Sequence, residues 1–228
     1  MLARVQDHII SSTNFNPFQS AYRKYNSTET AMILTLDNIF HSIDQGMYTI
    51  LVSLDLSAAF DTVDHIILLN RFQSSFGIHG TALSRFHSYL SNRTQFVQIG
   101  NSRSSISSCP TGVPQDSVLG SMLFTLYTFP IAHIVSSFDL LQQQYTVDTQ
   151  LYVAVSRLNQ SIYILQLERC LSALHTWFSL NGLALNSSKS EVILMVTRQR
   201  SAYLPSPSNI IYLFILFEIQ QTYLYTIT

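Results

Sequence analysis

Ile50-Leu-Val-Ser-Leu-Asp-Leu-Ser-Ala-Ala-Phe-Asp-Thr-Val-Asp-His65 decides how the chain is read. Its apolar run, bounded by residues that favour turns, predicts a buried strand. Asp55 then stands at the C-terminal edge of that strand. A carboxylate in such a place is costly to bury unless it is paired or bound to a metal. Two explanations stay open from these residues alone: a helix N-cap at a strand-to-helix junction, or an acid held for chemistry. Small residues (Ser57, Ala58, Ala59) follow, then Phe60 and two further acids, Asp61 and Asp64.

Outward from this stretch, composition sets the bounds. The chain has 228 residues, enough for one domain or two small ones, and 47% are hydrophobic, enough for a sizeable core. Only 11% are charged and the net charge is −1, so charge alone gives no signature of a nucleic-acid binder. Cys109 and Cys170 are far apart and fit no metal or redox spacing, which reads them as small hydrophobes. Charge interrupts the opening ten residues, so the reading expects no signal peptide, and the apolar run from Ile210 to Phe217 is too short to span a bilayer. The expectation is a soluble intracellular protein, nuclear or cytoplasmic, with no membrane partner.

Helical spacing predicts a short helix before Ser11 and a longer one capped by Asn26, with Glu29 reaching back and Gly46 ending it. Met32, Leu36, Ile39, Phe40 and Ile43 would be its apolar face. Two helices follow the strand, one closed by Gly77 and one carrying Leu83, Phe86, Tyr89 and Leu90. Residues 95–108 read as a hairpin turning at Gly100-Asn101. Thr111 to Asp116 is a tight loop into an apolar helix from Ser117, with Val118, Met122 and Leu126 on one face. A second hairpin carries Asp148 at its tip. A helix over 158–180 presents Leu158, Ile162, Leu165, Leu167, Leu171, Leu174 and Phe178, and Glu191 to Val196 forms a last strand. Past Ser201 the amphipathic pattern is lost and the tail is poorly specified.

Asp55 at a strand's end and Asp148 in a hairpin converge on one edge if the two elements share a sheet. Hard divalent cations take one or two carboxylates plus substrate phosphates. Two such ions about 3.5–4 Å apart stabilise the attacking and leaving oxygens of phosphoryl transfer.

Five stretches carry a resemblance: Gln19-Ser-Ala-Tyr-Arg-Lys-Tyr-Asn-Ser-Thr-Glu-Thr-Ala31, Leu54 to His65, Gly112-Val-Pro-Gln-Asp-Ser-Val-Leu-Gly120, Tyr145-Thr-Val-Asp-Thr-Gln-Leu-Tyr152 and Leu185-Asn-Ser-Ser-Lys-Ser-Glu191. They occur in the order seen in reverse transcriptases and most resemble those of non-LTR (LINE-type) retrotransposons, over roughly residues 5–208. The resemblance implies an α+β fold: the palm of a right-handed polymerase, an antiparallel sheet backed by helices, with partial fingers and no thumb. It places partial fingers and a connecting helix in residues 1–48, the palm in 49–200 and a divergent tail in 201–228.

The resemblance also implies roles. Asp55, Asp148 and the Leu56 carbonyl would hold two Mg²⁺ ions. Phe60, beside Ala59, would be the steric gate beneath the incoming sugar, although a core aromatic is an equal reading of the residue itself. Arg23 would pair with the triphosphate, Gln115 would touch nucleotide or template, and Lys189 would be the general acid near pyrophosphate. Tyr145 and Gln150 would frame the turn, while Asp61 and Asp64 serve capping and helix-start electrostatics. The implied partners are an RNA template, a DNA primer and deoxynucleoside triphosphates.

Departures from the pattern matter equally. The family's Tyr-Ala-Asp-Asp reads Tyr145-Thr146-Val147-Asp148 here, so Val147 replaces a metal-binding acid. Asp116 replaces the glycine usual after Pro-Gln, and Ser121 a usual proline. The reading expects no endonuclease domain before this stretch. The reading expects a truncated, degenerate copy of a polymerase, impaired or inactive; the alternative is a non-catalytic palm that binds nucleic acid or another partner.

Overall fold

The computed structural model describes residues 2–21, 23–115, 117, 119–199 and 221–227. Tyr22, Asp116 and Val118, which belong to the quoted motifs, lie outside the described residues, as does the stretch 200–220. In chain order the elements are α1 (Leu2–Ile10), α2 (Thr28–Asp44), β1 (Tyr48–Leu54), β2 (Leu56–Ser57), α3 (His65–Ser74), α4 (Gly80–Leu90), β3 (Thr94–Gln95), β4 (Gln98–Ile99), β5 (Ser102–Arg103) and β6 (Ser107–Ser108). They continue with α5 (Gly120–Thr128), α6 (Pro130–Ser136), β7 (Leu141–Tyr145), β8 (Asp148–Val155), α7 (Gln160–Leu180), β9 (Ala184–Leu185), β10 (Glu191–Thr197) and β11 (Gln221–Ile227). The arrangement is α+β, and the chain forms two compact units that interleave along the sequence.

The larger unit holds residues 16–57, 130–180 and 184–228. Its five-stranded sheet has the order β11-β10-β1-β8-β7. β1 sits at the centre, antiparallel to both neighbours, with Thr49 opposite Ala154 and Met195. A central strand is covered on both faces, which explains why 48–54 is an almost unbroken apolar run. On one face Ile39 and Ile43 of α2 close over Leu51 and Tyr152, flanked by Ile193 and Met195. The alternate residues, Ile50, Val52, Leu151, Val153, Val155, Val192 and Val196, are buried, and α6 and α7 pack against β7 and β8.

The smaller unit holds residues 1–15, 58–129 and 181–183. Aromatic pairs build its core: Phe72 against Phe86 at 4.6 Å and Phe76 against Phe129 at 5.2 Å between ring centroids. Arg71 lies 4.5 Å from the Tyr127 ring centroid and donates to the Tyr127 carbonyl and the Asn181 side chain. The 94–108 hairpin leaves this unit as two short ladders, β3 with β6 and β4 with β5.

Several expectations are corrected. Ser27, not Asn26, caps α2: its backbone is extended, its hydroxyl accepts from Thr30 N, and the Thr30 hydroxyl accepts from Ser27 N, closing a capping box without Glu29. Two adjacent cap-forming residues made the choice invisible in sequence. Met32 and Phe40 of α2 are exposed, and Ala31, Thr35 and Ser42 join Ile39 and Ile43 on the buried face. The buried stripe of α7 is Ile164, Leu167, Cys170, Leu171, Leu174 and Phe178, whereas Leu158 is outside the helix and 99% exposed. Ile162 and Leu165, near the helix start, are exposed as well, so the buried stripe runs along a different face from the one their spacing suggests.

The apolar helix starts at Gly120, not Ser117: the Ser117 hydroxyl donates to the Pro114 carbonyl and accepts from Gly120 N in a turn before the helix, and a Cβ on Gly120 would lie 2.3 Å from that carbonyl oxygen, so the position requires glycine. The sheet is not wholly antiparallel: tail residues 221–227 form β11, parallel to β10 from Glu191 opposite Gln221 to Thr197 opposite Ile227.

Candidate functional site

In the β1–β8 ladder, Leu54 faces Thr149. Asp55 follows Leu54 and Asp148 precedes Thr149, so the two acids lie just past the last pair at the same end of the ladder. Their closeness has an electrical signature: burial of the Asp148 carboxyl, and second the negative charge of Asp55, raise its pKa above the ordinary carboxylate value. The two acids that sequence reasoning paired across the chain are brought together. Asp148 is not at the hairpin tip, as expected, but is the first residue of β8, paired with Tyr145 across a two-residue turn of Thr146 and Val147. Gln150 faces Ser53 on one side and Gln143 on the other.

Asp55 is fixed by its backbone, which leaves its carboxylate free for other work. Its N–H donates to the Ser190 hydroxyl at 3.1 Å, and its carbonyl accepts from Asn186 N at 2.9 Å. The Ser190 hydroxyl in turn donates to the Asn186 carbonyl at 2.9 Å. Sequence reasoning drew only Lys189 from this stretch, yet Asn186 and Ser190 hold the strand end, while Lys189 is exposed on the turn between them. Their signal was the cluster of side-chain hydroxyls and amides just before a strand.

The hairpin turn has a clamp of its own. Gln19 is 0% exposed; its Oε1 accepts from Thr146 N at 2.9 Å and Ala21 N at 3.1 Å, and its Nε2 donates to the Thr146 carbonyl at 3.2 Å. Gln144 N and carbonyl bond the backbone of Phe18 and Ser20, so residues 18–20 run alongside β7. The stretch that begins at Gln19 is thus partly interior. Arg23 lies in the same unit, half-buried, with its Nη2 donating to the Asn16 carbonyl at 2.9 Å; burial lowers its pKa. A groove of about 350 Å³ between α2 and the sheet, lined by Ala31, Met32, Leu36, Tyr145, Gln150 and Met195, opens on Asp148.

In the smaller unit the turn after Asp55 and the loop before α5 are stitched together. Val113 N donates to the Phe60 carbonyl and Gly112 N to the Val63 carbonyl, both at 2.8 Å, and the His65 ring bonds the Gly112 carbonyl at 2.7 Å. Gly112 has φ +86°, and a Cβ there would meet the Asp61 carbonyl at 2.8 Å. Phe60 is half-buried, 5.3 Å from the Phe124 ring centroid, and Ala59 is buried, while Gln115 is exposed. Asp64 caps α3, accepting from Ile66 N and Ile67 N, as expected; Asp61 caps nothing, and its carbonyl accepts from the Thr111 hydroxyl.

A sheet centred on an acid-tipped strand beside an acid-bearing hairpin invites comparison with known proteins. Residues 1–216 match the model of a family described as reverse transcriptase (RNA-dependent DNA polymerase). This chain belongs to the reverse transcriptase family.

Among curated relatives, this reverse transcriptase domain is 27% identical over 192 residues to the RNA-directed DNA polymerase from mobile element jockey of Drosophila melanogaster, covering 81% of this chain and 20% of that one. It is 31% identical over 110 residues to the probable RNA-directed DNA polymerase from transposon BS of the same fly, covering 48% of this chain and 12% of that one. The domain therefore spans a fifth or less of the length of these relatives, and their names agree with the non-LTR, LINE-type character of the five motifs. Among solved structures, apo telomerase from Candida tropicalis truncated from the C-terminal domain superposes with a TM-score of 0.54 at 16% identity, covering 74% of this chain and 35% of that one. Telomerase from Candida albicans, solved with a fragment of telomeric RNA, gives 0.55 at 12% identity, covering 84% of this chain and 32% of that one. Those likenesses establish the polymerase palm fold. Among the described residues no helix is long and apolar enough to cross a membrane, and no three His, Cys, Asp or Glu side chains cluster as metal ligands.

Proposed function

We propose that this reverse transcriptase domain is built for RNA-templated DNA synthesis and that catalysis in this copy is impaired by Val147. The observation that carries the reading is the pair Asp55 and Asp148 at one end of adjacent strands, near enough for one charge to raise the other's pKa. Residues 49–200 are read as the palm and residues 1–48 as part of the fingers.

The donor set fits a hard divalent cation: two carboxylates and the Leu56 carbonyl, all oxygen. Magnesium bound there would neutralise charge on the transferring phosphate and its leaving group. Asp55 and Asp148 would hold it, with the Asn186 and Ser190 bonds fixing the strand end from which Asp55 projects. In the roles given by the family pattern, Arg23 pairs with triphosphate oxygens, Lys189 delivers a proton to the departing pyrophosphate, Phe60 and Ala59 meet the sugar, and Gln115 touches nucleotide or template. Template RNA, primer and deoxynucleoside triphosphates are the corresponding partners.

Val147 contributes no oxygen where the family has an acid, leaving two carboxylates against two dications. A second reading, a palm that binds nucleic acid without catalysis, rests on the same residue. Primer extension with Mg²⁺ or Mn²⁺ separates them. The expected result is extension near background for the chain as it stands, and a gain of at least about tenfold, equal to about 1.4 kcal/mol, in Val147→Asp with Asp116→Gly. Robust extension by the unaltered chain would overturn the impairment. No gain in the double variant, with Asp55→Asn indistinguishable from it, would overturn the polymerase reading.

A further inference from the structure

β11, Gln221-Thr-Tyr-Leu-Tyr-Thr-Ile227, is the outermost strand of the larger unit's sheet, bonded to β10 on one side. Among the described residues no strand pairs with its other side. An edge strand presents a row of unpaired N–H and C=O groups, and proteins blunt such rows with charge, proline, a bulge or short length. β11 has none of these: it runs seven residues in unbroken register and carries no charge and no proline. The opposite edge is treated differently, since Gln144 of β7 bonds the backbone of Phe18 and Ser20. β11 also lies past residues 1–216, the stretch that matches the family, so the family pattern gives no role for it.

The strand is apolar at its centre and exposed there: Leu224 is 54% exposed, Tyr225 55% and Tyr223 39%. The two tyrosine rings share a face, 6.3 Å apart between centroids, and alternation puts Leu224 on the other. The order of residues narrows the partner. Thr222-Tyr-Leu-Tyr-Thr226 reads the same in both directions. Antiparallel pairing about a two-fold axis at Leu224 therefore sets Leu224 opposite its own copy and Tyr223 opposite Tyr225 of the second copy. Aromatic pairs are among the favourable cross-strand neighbours. A net charge of −1 per chain raises no long-range repulsion between two copies.

We propose that β11 is a dimerisation edge: two copies of this chain pair antiparallel through it and join their five-stranded sheets into one. The edge asks for an uncharged strand of the same alternation, and a second copy presents one in matched register. A two-fold pairing uses up both bare edges, so assembly closes at two. β1 stands two places in from β11 in each copy. Two spacings in each copy and one between copies put the two β1 strands about 24 Å apart. They run in opposite directions, because β1 is antiparallel to β10 and β11 parallel to it. The acid-bearing ends then open at opposite ends of the joint sheet, and neither copy lends residues to the other's site. The dimer does not depend on the polymerase reading.

Sedimentation velocity of the full chain over a concentration series tests it. The mass should rise from 25.9 kDa towards twice that value as concentration increases. Leu224→Lys and Leu224→Glu should each weaken self-association at least about tenfold, since each sets like charges opposite one another across the axis. Mixing the two variants should restore the dimer. Tyr223→Lys with Tyr225→Glu in one chain should still pair, because the axis sets each new charge opposite its complement; Tyr223→Lys with Tyr225→Lys should not. Each double variant places two charges on the same strand, so a difference between them reads pairing and not folding, and it decides the matter if melting curves show the single variants unfolded. A chain that stays monomeric throughout, or that associates equally well with Leu224→Lys, would overturn the proposal. Growth past the dimer would overturn two-fold closure in favour of stacked strands. Folded Leu224→Lys and Leu224→Glu chains that fail to pair when mixed would overturn the register at Leu224.

Discussion

Gln19→Ala should destabilise the chain more than any change at an exposed position. The side chain is completely buried and makes three bonds to backbone: Oε1 to Thr146 N and Ala21 N, and Nε2 to the Thr146 carbonyl. A typical bond contributes about 0.5–1.5 kcal/mol net, and a buried group left without its partner costs about 1–3 kcal/mol. Two N–H groups would lose their acceptor, so the expected loss is about 3 kcal/mol. For a chain of this length, about 2–4 °C of Tm accompanies each kcal/mol, which predicts a fall of about 6–12 °C. Thr146 adds to the cost, since it holds φ 55°, a left-handed conformation that a β-branched residue avoids unless its surroundings fix it. Urea unfolding followed by circular dichroism measures the loss. Gln19→Glu should lose stability as well, because it buries a carboxylate and sets an acceptor oxygen against the Thr146 carbonyl, and the loss should ease at low pH where the carboxyl is protonated. A Tm within about 2 °C of the unaltered chain for Gln19→Ala, well under the scale just derived, would show that the turn holds its shape without the clamp.

The acid pair makes a prediction of opposite sign. The folded-state pKa of Asp148 is raised above its ordinary 3.8, so its protonation favours the folded state below that ordinary value, and this contribution is lost as pH rises through the raised one. At pH 7 the carboxylate therefore opposes folding, and Asp148→Asn should be the more stable protein there, with the difference shrinking as pH falls below about 4; urea midpoints across that range read it out, and a less stable Asp148→Asn at pH 7 would contradict it. Gly120→Ala should cost about 1–3 kcal/mol, because its Cβ would lie 2.3 Å from the Pro114 carbonyl; thermal melting would show it, and a neutral result would mean that the loop before α5 gives way freely.

Local pattern carried much of the fold, and the reasons for the misses are specific. The run at 48–54 announced a strand because it is covered on both faces, and Asp64 announced a cap because its carboxylate bonds the helix start within three residues. Gln19 gave no such signal: its partner is 127 residues away, and nothing local distinguishes a buried glutamine from a surface one. Ser190 and Asn186 were hidden likewise, since they act on Asp55 from 135 and 131 residues further along the chain. The parallel pairing of β11 was beyond pattern altogether, because a strand's partner is set by its neighbours in space and its sequence shows only that it favours extended backbone.

Strand alternation explains how such a domain keeps its shape while its chemistry changes. Along β8, Thr149, Leu151, Val153 and Val155 are buried, while Asp148 and Gln150 border the groove beside α2. Because successive side chains point to opposite faces, a substitution among the groove residues leaves the alternate apolar face untouched. Val147 lies one step outside that alternation, in the turn, where it forms no ladder pair. A change of side chain there breaks no ladder pair of the sheet. The raised pKa of Asp148 indicates that its carboxylate works against folding at neutral pH, so its loss would be tolerated more readily than that of Gln19, Asn186 or Ser190. In this fold the residues that position the site are harder to replace than the residues that would do its chemistry.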